Sequence, residues 1–475
     1  MRSPVSRREF LKQAGLVAGA LPVLGMQAEA VQEKDKLRCV VIGCGGRGQS
    51  HLDRAVNENL VAIVDPDDTR LDNVGKFLQK KNLDSTKVQR FNDYRQMFDK
   101  MANQIDVVFV ATPNHHHALP TMMAMAHGKH VYCEKPLCHT VDEARNLAKM
   151  QSRSKVATMM GNQGHCEEGY RRLCEFVWSG AIGNITETHS WTDRANGGFG
   201  PRPASQSPPS TMHWDQWIGP APHRDYHVDL HPHEWHGWVD FGNGSLGNMG
   251  CHVLDGVFWA CKVQHPTSIE AEEMFGGGGE RYPTGSRLRW DIPARGTMPA
   301  MKAYWYDGRE GNGDPGDGNK GTVATGAKGP HYLPPLLKDL MKQYPDEGWD
   351  LGGGTLYVGD KGIMYTSTYG GTPGKKGMRI VPFAKMEAFS APEKTLPRMK
   401  DSFTEFLNAA REGRTDTPTP FSYGAKLTEF VILGNMGHYA GVGNKVEWDG
   451  PNMRVTNLKD LNKFVKRDYR SGWHV

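Results

Sequence analysis

The sequence predicts an α/β chain built on two sheets, a doubly wound parallel sheet followed by a larger, mostly antiparallel one. Three observations carry that expectation. Short apolar runs alternate with helix-patterned stretches from residue 37 to about 160, the rhythm of strand–crossover–strand units. Beyond that point strand-like runs follow one another between glycine-rich loops. The 475 residues also exceed what a single hydrophobic core usually serves, so two domains are expected.

The first strand is 37–42, an unbroken apolar run of the kind buried on both faces. It ends in Gly43-Cys44-Gly45-Gly46-Arg47-Gly48, and a helix runs on to Ala55. Strands are expected at 60–64, 88–91, 106–111 and 130–133, with helices over 69–81, 93–101 and 117–128. Thr140-Val141-Asp142-Glu143 reads as a capping box opening a helix to about Ser152. A strand and turn at 159–164, a helix over 169–180 and a strand at 185–191 begin the second part. The Pro-, Ser-, His- and Trp-rich stretch 196–240 has weak periodicity and is expected to form loops over a site. A helix over 252–261 follows, then strands at 269–273, 287–292, 301–306, 355–359, 362–365 and 378–381. Residues 307–329, glycine-rich and charged, read as a mobile surface insertion. Helices over 398–412 and 424–436 close the pattern.

The formal charge of +4 is small, and Arg2, Arg7, Arg8 and Lys12 supply much of it near the start. Nothing resembles a nucleic-acid footprint, so neither nucleic acid nor an anionic membrane is expected as a partner. Ser6-Arg7-Arg8-Glu9-Phe10-Leu11-Lys12 resembles a twin-arginine export signal, and an apolar run over 14–24 follows. That run is shorter than the roughly 20 residues a membrane span needs, so no stable insertion is expected. Ala28-Glu29-Ala30 offers a small-x-small cleavage site. The expected organisation is a signal over 1–30, a nucleotide-binding domain over 31–160, and a substrate-binding and association domain over 161–475, with a periplasmic or otherwise exported product. The eight cysteines lack framework spacing and read as small buried residues.

Gly43-x-Gly45-x-x-Gly48 follows a strand, opens a helix, and precedes Asp65 by 17 positions. Glycines there, with Gly46 between them, let the backbone turn tightly and approach a pyrophosphate at the helix N-terminus. Asp65 can accept hydrogen bonds from ribose hydroxyls and would repel a 2′-phosphate, which favours NAD over NADP. Arg47 is a candidate phosphate ligand.

With Val41-Ile42 before that turn, and with Ala111-Thr112-Pro113-Asn114-His115-His116-His117 and Cys133-Glu134-Lys135-Pro136-Leu137, the chain resembles the Gfo/Idh/MocA oxidoreductases over nearly all of the sequence after the signal. The resemblance implies a Rossmann domain followed by an α+β domain with a large open sheet, NAD as cofactor, and a homodimer or homotetramer. It implies that Lys135, beside Glu134, contacts nicotinamide and substrate, and that Thr112, Pro113, Asn114 and His117 line the nicotinamide side. A lysine at a strand's carboxyl end also suits the chemistry, because a cation beside a hydroxyl favours its deprotonation.

Within Gly247-Asn248-Met249-Gly250-Cys251-His252-Val253-Leu254-Asp255, His252 matches the family's proton-accepting histidine. The family usually carries aspartate four residues earlier, where this chain has Asn248. An amide can bind substrate hydroxyls but supplies no charge to an imidazolium, so either His252 acts without that help or Asp255 or another carboxylate supplies it. His231-Pro232-His233-Glu234-Trp235-His236 is dense in histidine but fits no strong zinc template, and no metal is expected. His233, Trp235 and His236 read instead as a lid over a sugar. Trp191, Trp214, Trp217 and Tyr226 belong either to that pocket or to the core.

The expected activity is hydride transfer between NAD and a hydroxyl of a sugar, glycoside or polyol. Two alternatives remain open. One is an NAD-dependent glycoside hydrolase that oxidises transiently, eliminates, and keeps its cofactor; the other is a non-catalytic sugar-binding protein with a vestigial nucleotide site.

Overall fold

The computed structural model describes residues 35–199, 202–310 and 330–474. The export signal expected over 1–30 and most of the insertion expected over 307–329 lie outside the described residues.

The first sheet has six parallel strands in the order β3-β2-β1-β4-β5-β6: β1 Arg38–Ile42, β2 Asn59–Val64, β3 Gln89–Phe91, β4 Val107–Val110, β5 His130–Glu134 and β6 Thr158–Gly161. The order reverses between β1 and β4, and open α/β sheets bind ligands at that switch point. Period-two alternation divides β1 between two cores. Cys39 and Val41 pack with Phe109 and Tyr132 on one face, while Val40 and Ile42 pack with Val108 and Val110 on the other. The helix Val141–Gln151 opens with the full reciprocal capping box of Thr140 and Glu143.

The face carrying Cys39 is closed by a distant part of the chain. Phe403, Phe406 and Leu407 of the helix Ser402–Glu412 join that core, with the Phe403 ring stacked on Tyr132 at 4.8 Å. The edge of β6 is also covered, since the Met160 amide donates to the Thr419 carbonyl at 2.9 Å and the Thr419 hydroxyl to the Met160 carbonyl at 2.7 Å. A covered edge offers no template for unwanted strand pairing.

The second sheet has nine strands in the order β13-β12-β11-β7-β10-β9-β8-β14-β15: β7 Ile185–Thr192, β8 Ser268–Phe275, β9 Gly285–Ile292, β10 Met301–Gly308, β11 Gly353–Gly359, β12 Gly362–Ser367, β13 Arg379–Val381, β14 Val446–Asp449 and β15 Arg454–Val455. All pairings are antiparallel except β7 with β10.

Several expectations need correction. The helix over 252–261 is broken: a π-turn spans Leu246–Gly250, a short helix covers Cys251–Val253, and a separate one runs Asp255–Ala260. The strand β10 continues through Asp307 and Gly308, where Asp307 is buried and accepts from the Ser286 hydroxyl at 2.8 Å and the Trp305 indole at 3.0 Å. The helix over 424–436 divides into Phe421–Ile432 and Gly434–Ala440. The elements not expected include the helices Pro335–Gln343 and Phe383–Ala388 and the strands β14 and β15. All eight cysteines are free and buried.

Candidate active site

A cleft of about 700 Å³ opens at the carboxyl ends of β1, β2, β4 and β5. The glycine turn forms its floor. Gly43 has φ +86° and packs so closely on the next strand that a Cβ would lie 2.6 Å from the Ala111 carbonyl oxygen. A Cβ on Gly48 would meet the Gly43 carbonyl oxygen at 1.9 Å, so the helix Gly48–Ala55 starts directly on the turn. Above Gly46 (φ +46°) nothing lies within 4 Å of a Cβ position, leaving room for a ligand at the helix N-terminus.

Asp65 stands at the carboxyl end of β2. Its oxygens accept from the amides of Cys44 (2.8 Å) and Asp67 (3.0 Å), which leaves lone pairs for further donors. Burial pushes its carboxyl up to about 6, against those two hydrogen bonds.

At the end of β5, Glu134 is buried, accepting from Arg47 Nε at 2.8 Å and lying 3.0 Å from His51 Nε2. Burial alone would raise its pKa, but His51, Arg47 and Lys135 together hold it well below the usual carboxylate range. Arg47 is therefore engaged by Glu134 as well as lining the cleft. Lys135 Nζ donates to the main-chain oxygen of Asn248 at 2.5 Å, and burial lowers its pKa while Glu134 opposes the shift.

His252 is buried in the opposite wall with its ring against Tyr369, centroids 4.8 Å apart. Its Nδ1 lies 3.0 Å from Asn162 Oδ1. That acceptor selects the Nδ1–H tautomer and leaves the Nε2 lone pair available. Burial, reinforced by Lys135, drives its pKa far down, so the ring is neutral.

The other expected site residues divide. Thr112, Pro113, Asn114, His117, His233, Trp235, His236 and Asn248 all line the cleft. His117 ties two strand ends together, its nitrogens lying 2.6 Å from the Pro136 carbonyl and 2.7 Å from that of Thr112. His236 stacks on Trp235 with centroids 3.6 Å apart. The Asn248 amide does not reach His252; it donates to Asn196 Oδ1 at 2.8 Å, because the π-turn removes the regular four-residue face. Asp255 is a correction. It is fully buried away from the cleft, 3.0 Å from His165 Nδ1 and accepting from the Tyr423 hydroxyl at 2.5 Å. Trp217 lines the cleft and stacks on Trp214, whereas Trp191 is core.

Residues missed in the sequence are Asn162, Gln163, Tyr369 and Trp473, of which the last three line the cleft. Among the described residues no group of three or more His, Cys, Asp or Glu side chains is placed to hold a metal ion. No helix among them is long and apolar enough to cross a membrane.

The cleft fits a dinucleotide on its own terms. The turn leaves space at a helix N-terminus, Asp65 keeps free acceptor capacity, and four buried polar atoms in the walls lack partners: Thr112 Oγ1, Asn114 Oδ1, Gln163 Oε1 and His236 Nδ1. Fold and site thus define a dinucleotide-binding oxidoreductase class. Residues 37–162 match the family model described as oxidoreductase family, NAD-binding Rossmann fold, and residues 189–274 match its C-terminal alpha/beta domain. Over these residues the chain carries the two domains of the Gfo/Idh/MocA oxidoreductase family, the first of them NAD-binding.

Among curated relatives, glycosyl hydrolase family 109 protein 1 of Shewanella sp. (strain ANA-3) is 30% identical over 206 residues, 38% of this chain and 44% of that protein. The chain thus matches less than half the length of that relative. Among solved structures, the aldose-aldose oxidoreductase of Caulobacter crescentus complexed with glycerol aligns at TM-score 0.54 and 17% identity, covering 87% of this chain and 100% of the other. The WlbA dehydrogenase of Bordetella pertussis, in complex with NADH and UDP-GlcNAcA, aligns at 0.56 and 13%, covering 87% and 99%. These two likenesses are of fold.

Proposed function

We propose that this chain is an NAD(H)-dependent oxidoreductase acting on a hydroxyl of a sugar, glycoside or polyol. One observation carries the reading: a dinucleotide turn, the Lys135 ammonium and a neutral His252 with a free Nε2 converge on one cleft. NAD, when bound, supplies the hydride acceptor or donor. His252 Nε2 takes the substrate hydroxyl proton as general base, and Asn162 holds the proton on Nδ1. Lys135 stabilises developing negative charge on the substrate oxygen, and its bond to the Asn248 carbonyl aims it. Trp235, His236 and Tyr369 offer flat faces suited to a sugar ring.

The glycosyl hydrolase family 109 relatives fit a second reading, in which a retained NAD is reduced and reoxidised within one turnover that releases a sugar. Export of the chain by its twin-arginine segment belongs to the proposal, and it would favour a retained cofactor, because free NAD is scarce outside the cytoplasm. A homodimer or homotetramer belongs to it as well. Cell fractionation and light scattering test those two points.

The deciding experiment denatures purified protein, quantifies released NAD(H), and incubates native protein with glycosides and no added cofactor. Stoichiometric NAD with turnover to free sugar selects the glycosidase reading. Turnover only on added NAD selects the dehydrogenase. Neither nucleotide nor activity sinks the catalytic reading and leaves a sugar-binding protein.

A further inference from the structure

Two stretches remote in sequence roof the Asp65 end of the cleft. The first leaves the second sheet and lies on the loop after β2. There the Asp68 amide donates to the Thr211 carbonyl at 2.9 Å and the His213 amide to the Pro66 carbonyl at 2.8 Å. The second is residues 467–473. It places Trp473 in the cleft wall, 3% exposed, with its ring edge-on to Tyr94 (centroids 5.9 Å) and His116 (5.5 Å).

Three arginines hold this second stretch. The Arg95 guanidinium lies 3.6 Å from the centroid of the Trp473 ring and donates to the Gly472 carbonyl at 2.7 Å. Arg467 donates to the His115 carbonyl at 2.6 Å and to Glu143 at 2.8 Å. Arg470 donates to the Asp215 side chain and to the carbonyls of Asp215 (2.9 Å) and Gly219 (3.0 Å). Asp215 and Gly219 belong to the first roof, so the two stretches are fastened to each other as well as to the first domain.

That arrangement suits a ligand which stays. A cofactor exchanged in every turnover leaves by the open side of its cleft, whereas a ligand enclosed at the Asp65 end departs only when a roof lifts. An indole in that wall offers the planar apolar surface against which a nucleobase packs. We propose that residues 467–473 are a latch, in which Trp473 walls the adenosine end and the arginine anchors make NAD(H) a slowly exchanging resident of the cleft. The proposal rests on the dinucleotide reading above and adds the residues that set the exchange rate.

The test follows release of bound NADH by its fluorescence after dilution into excess NAD⁺, using the full chain. Trp473→Ala removes the wall, and Arg470→Ala loosens the anchor while leaving the indole in place. The expected result is release about ten- to a hundredfold faster in both variants, with less NAD(H) carried through purification. Trp473→Phe keeps a flat ring and is expected to restore slow release, with thermal melting confirming that each variant is folded. Release from folded Trp473→Ala and Arg470→Ala at the parent's rate overturns the latch alone. A parent that binds no NADH at millimolar concentration overturns the latch and the dinucleotide reading together.

Discussion

Asn162 Oδ1 lies 3.0 Å from His252 Nδ1, and the two residues are 90 positions apart in the chain. The histidine is therefore oriented by a neutral amide, and not by the residue four positions earlier, Asn248, whose side chain is taken up by Asn196. A neutral partner fixes the tautomer without raising the ring's pKa, which suits a base that starts each cycle unprotonated. Replacing Asn162 with alanine is predicted to lower kcat/KM about tenfold or more while NADH binding persists, whereas His252→Ala loses about a hundredfold or more. Asn162→Asp is predicted to move the acidic limb of the pH–rate profile upward, a change that a merely structural role would not produce.

Asp65 gives a pH dependence of binding. With its carboxyl pushed up to about 6, about a tenth is ionised at pH 5 and about nine tenths at pH 7. A ribose hydroxyl donates to the ionised form, so NADH affinity is predicted to rise up to about tenfold over that interval. The ligand-free fold responds with the opposite sign. A carboxyl raised in the native state favours its protonated form there, so this group's contribution to stability is present at low pH and is lost as pH rises through about 6. Fluorescence titration of Asp65→Asn with NADH should give a flat profile.

Glu134 is held below the ordinary carboxylate range, so its contribution to stability is present above the unfolded value and lost only when pH falls through its depressed native value. Glu134→Gln is predicted to cost about 1–3 kcal/mol in urea denaturation near neutrality. This is less than a fully buried pair would cost, because Arg47 remains partly solvated.

Lys135→Met is predicted to bind NADH with little change and to lose turnover by about a hundredfold or more, since the ammonium acts on the substrate oxygen. Isothermal titration beside steady-state kinetics checks both halves.

Asp255→Asn is predicted to behave differently from both site variants. It disturbs the buried contacts with His165 and Tyr423, so it should lower stability by about 1–3 kcal/mol. In the folded fraction kcat/KM should stay near the parent's. A loss of turnover without a loss of stability would return Asp255 to the site.

What the sequence made legible depended on locality. The turn from Gly43 to Gly48, Asp65 and Lys135 sit at strand ends whose alternation is a short-range pattern, legible within a few residues of each. His252 was legible through a motif, but its partner was not. Asn162 is an ordinary residue after an ordinary strand, and only the packing of a broken helix beside it gives it a role. Asp255 is out of place because the single helix expected over 252–261 breaks at Leu254, and the helix that starts at Asp255 turns its carboxylate to His165 and Tyr423. Trp473 carried no signal at all, since its neighbours Tyr94 and His116 lie more than 350 positions earlier.

Leu52 and Leu71 of nearby helices cover part of one face of the first sheet, but the part around Phe109 and Tyr132 is covered by the helix Ser402–Glu412, more than two hundred residues further on. On a ribosome, the strands bearing Cys39, Val41 and Phe109 emerge long before Phe403 and Phe406 do. During that interval an apolar surface stands open to water and to neighbouring chains, which calls for chaperone shelter. Completion of the nucleotide-binding half is thus a late event of synthesis, and a nascent chain arrested before residue 400 should be captured by holdases rather than by NADH.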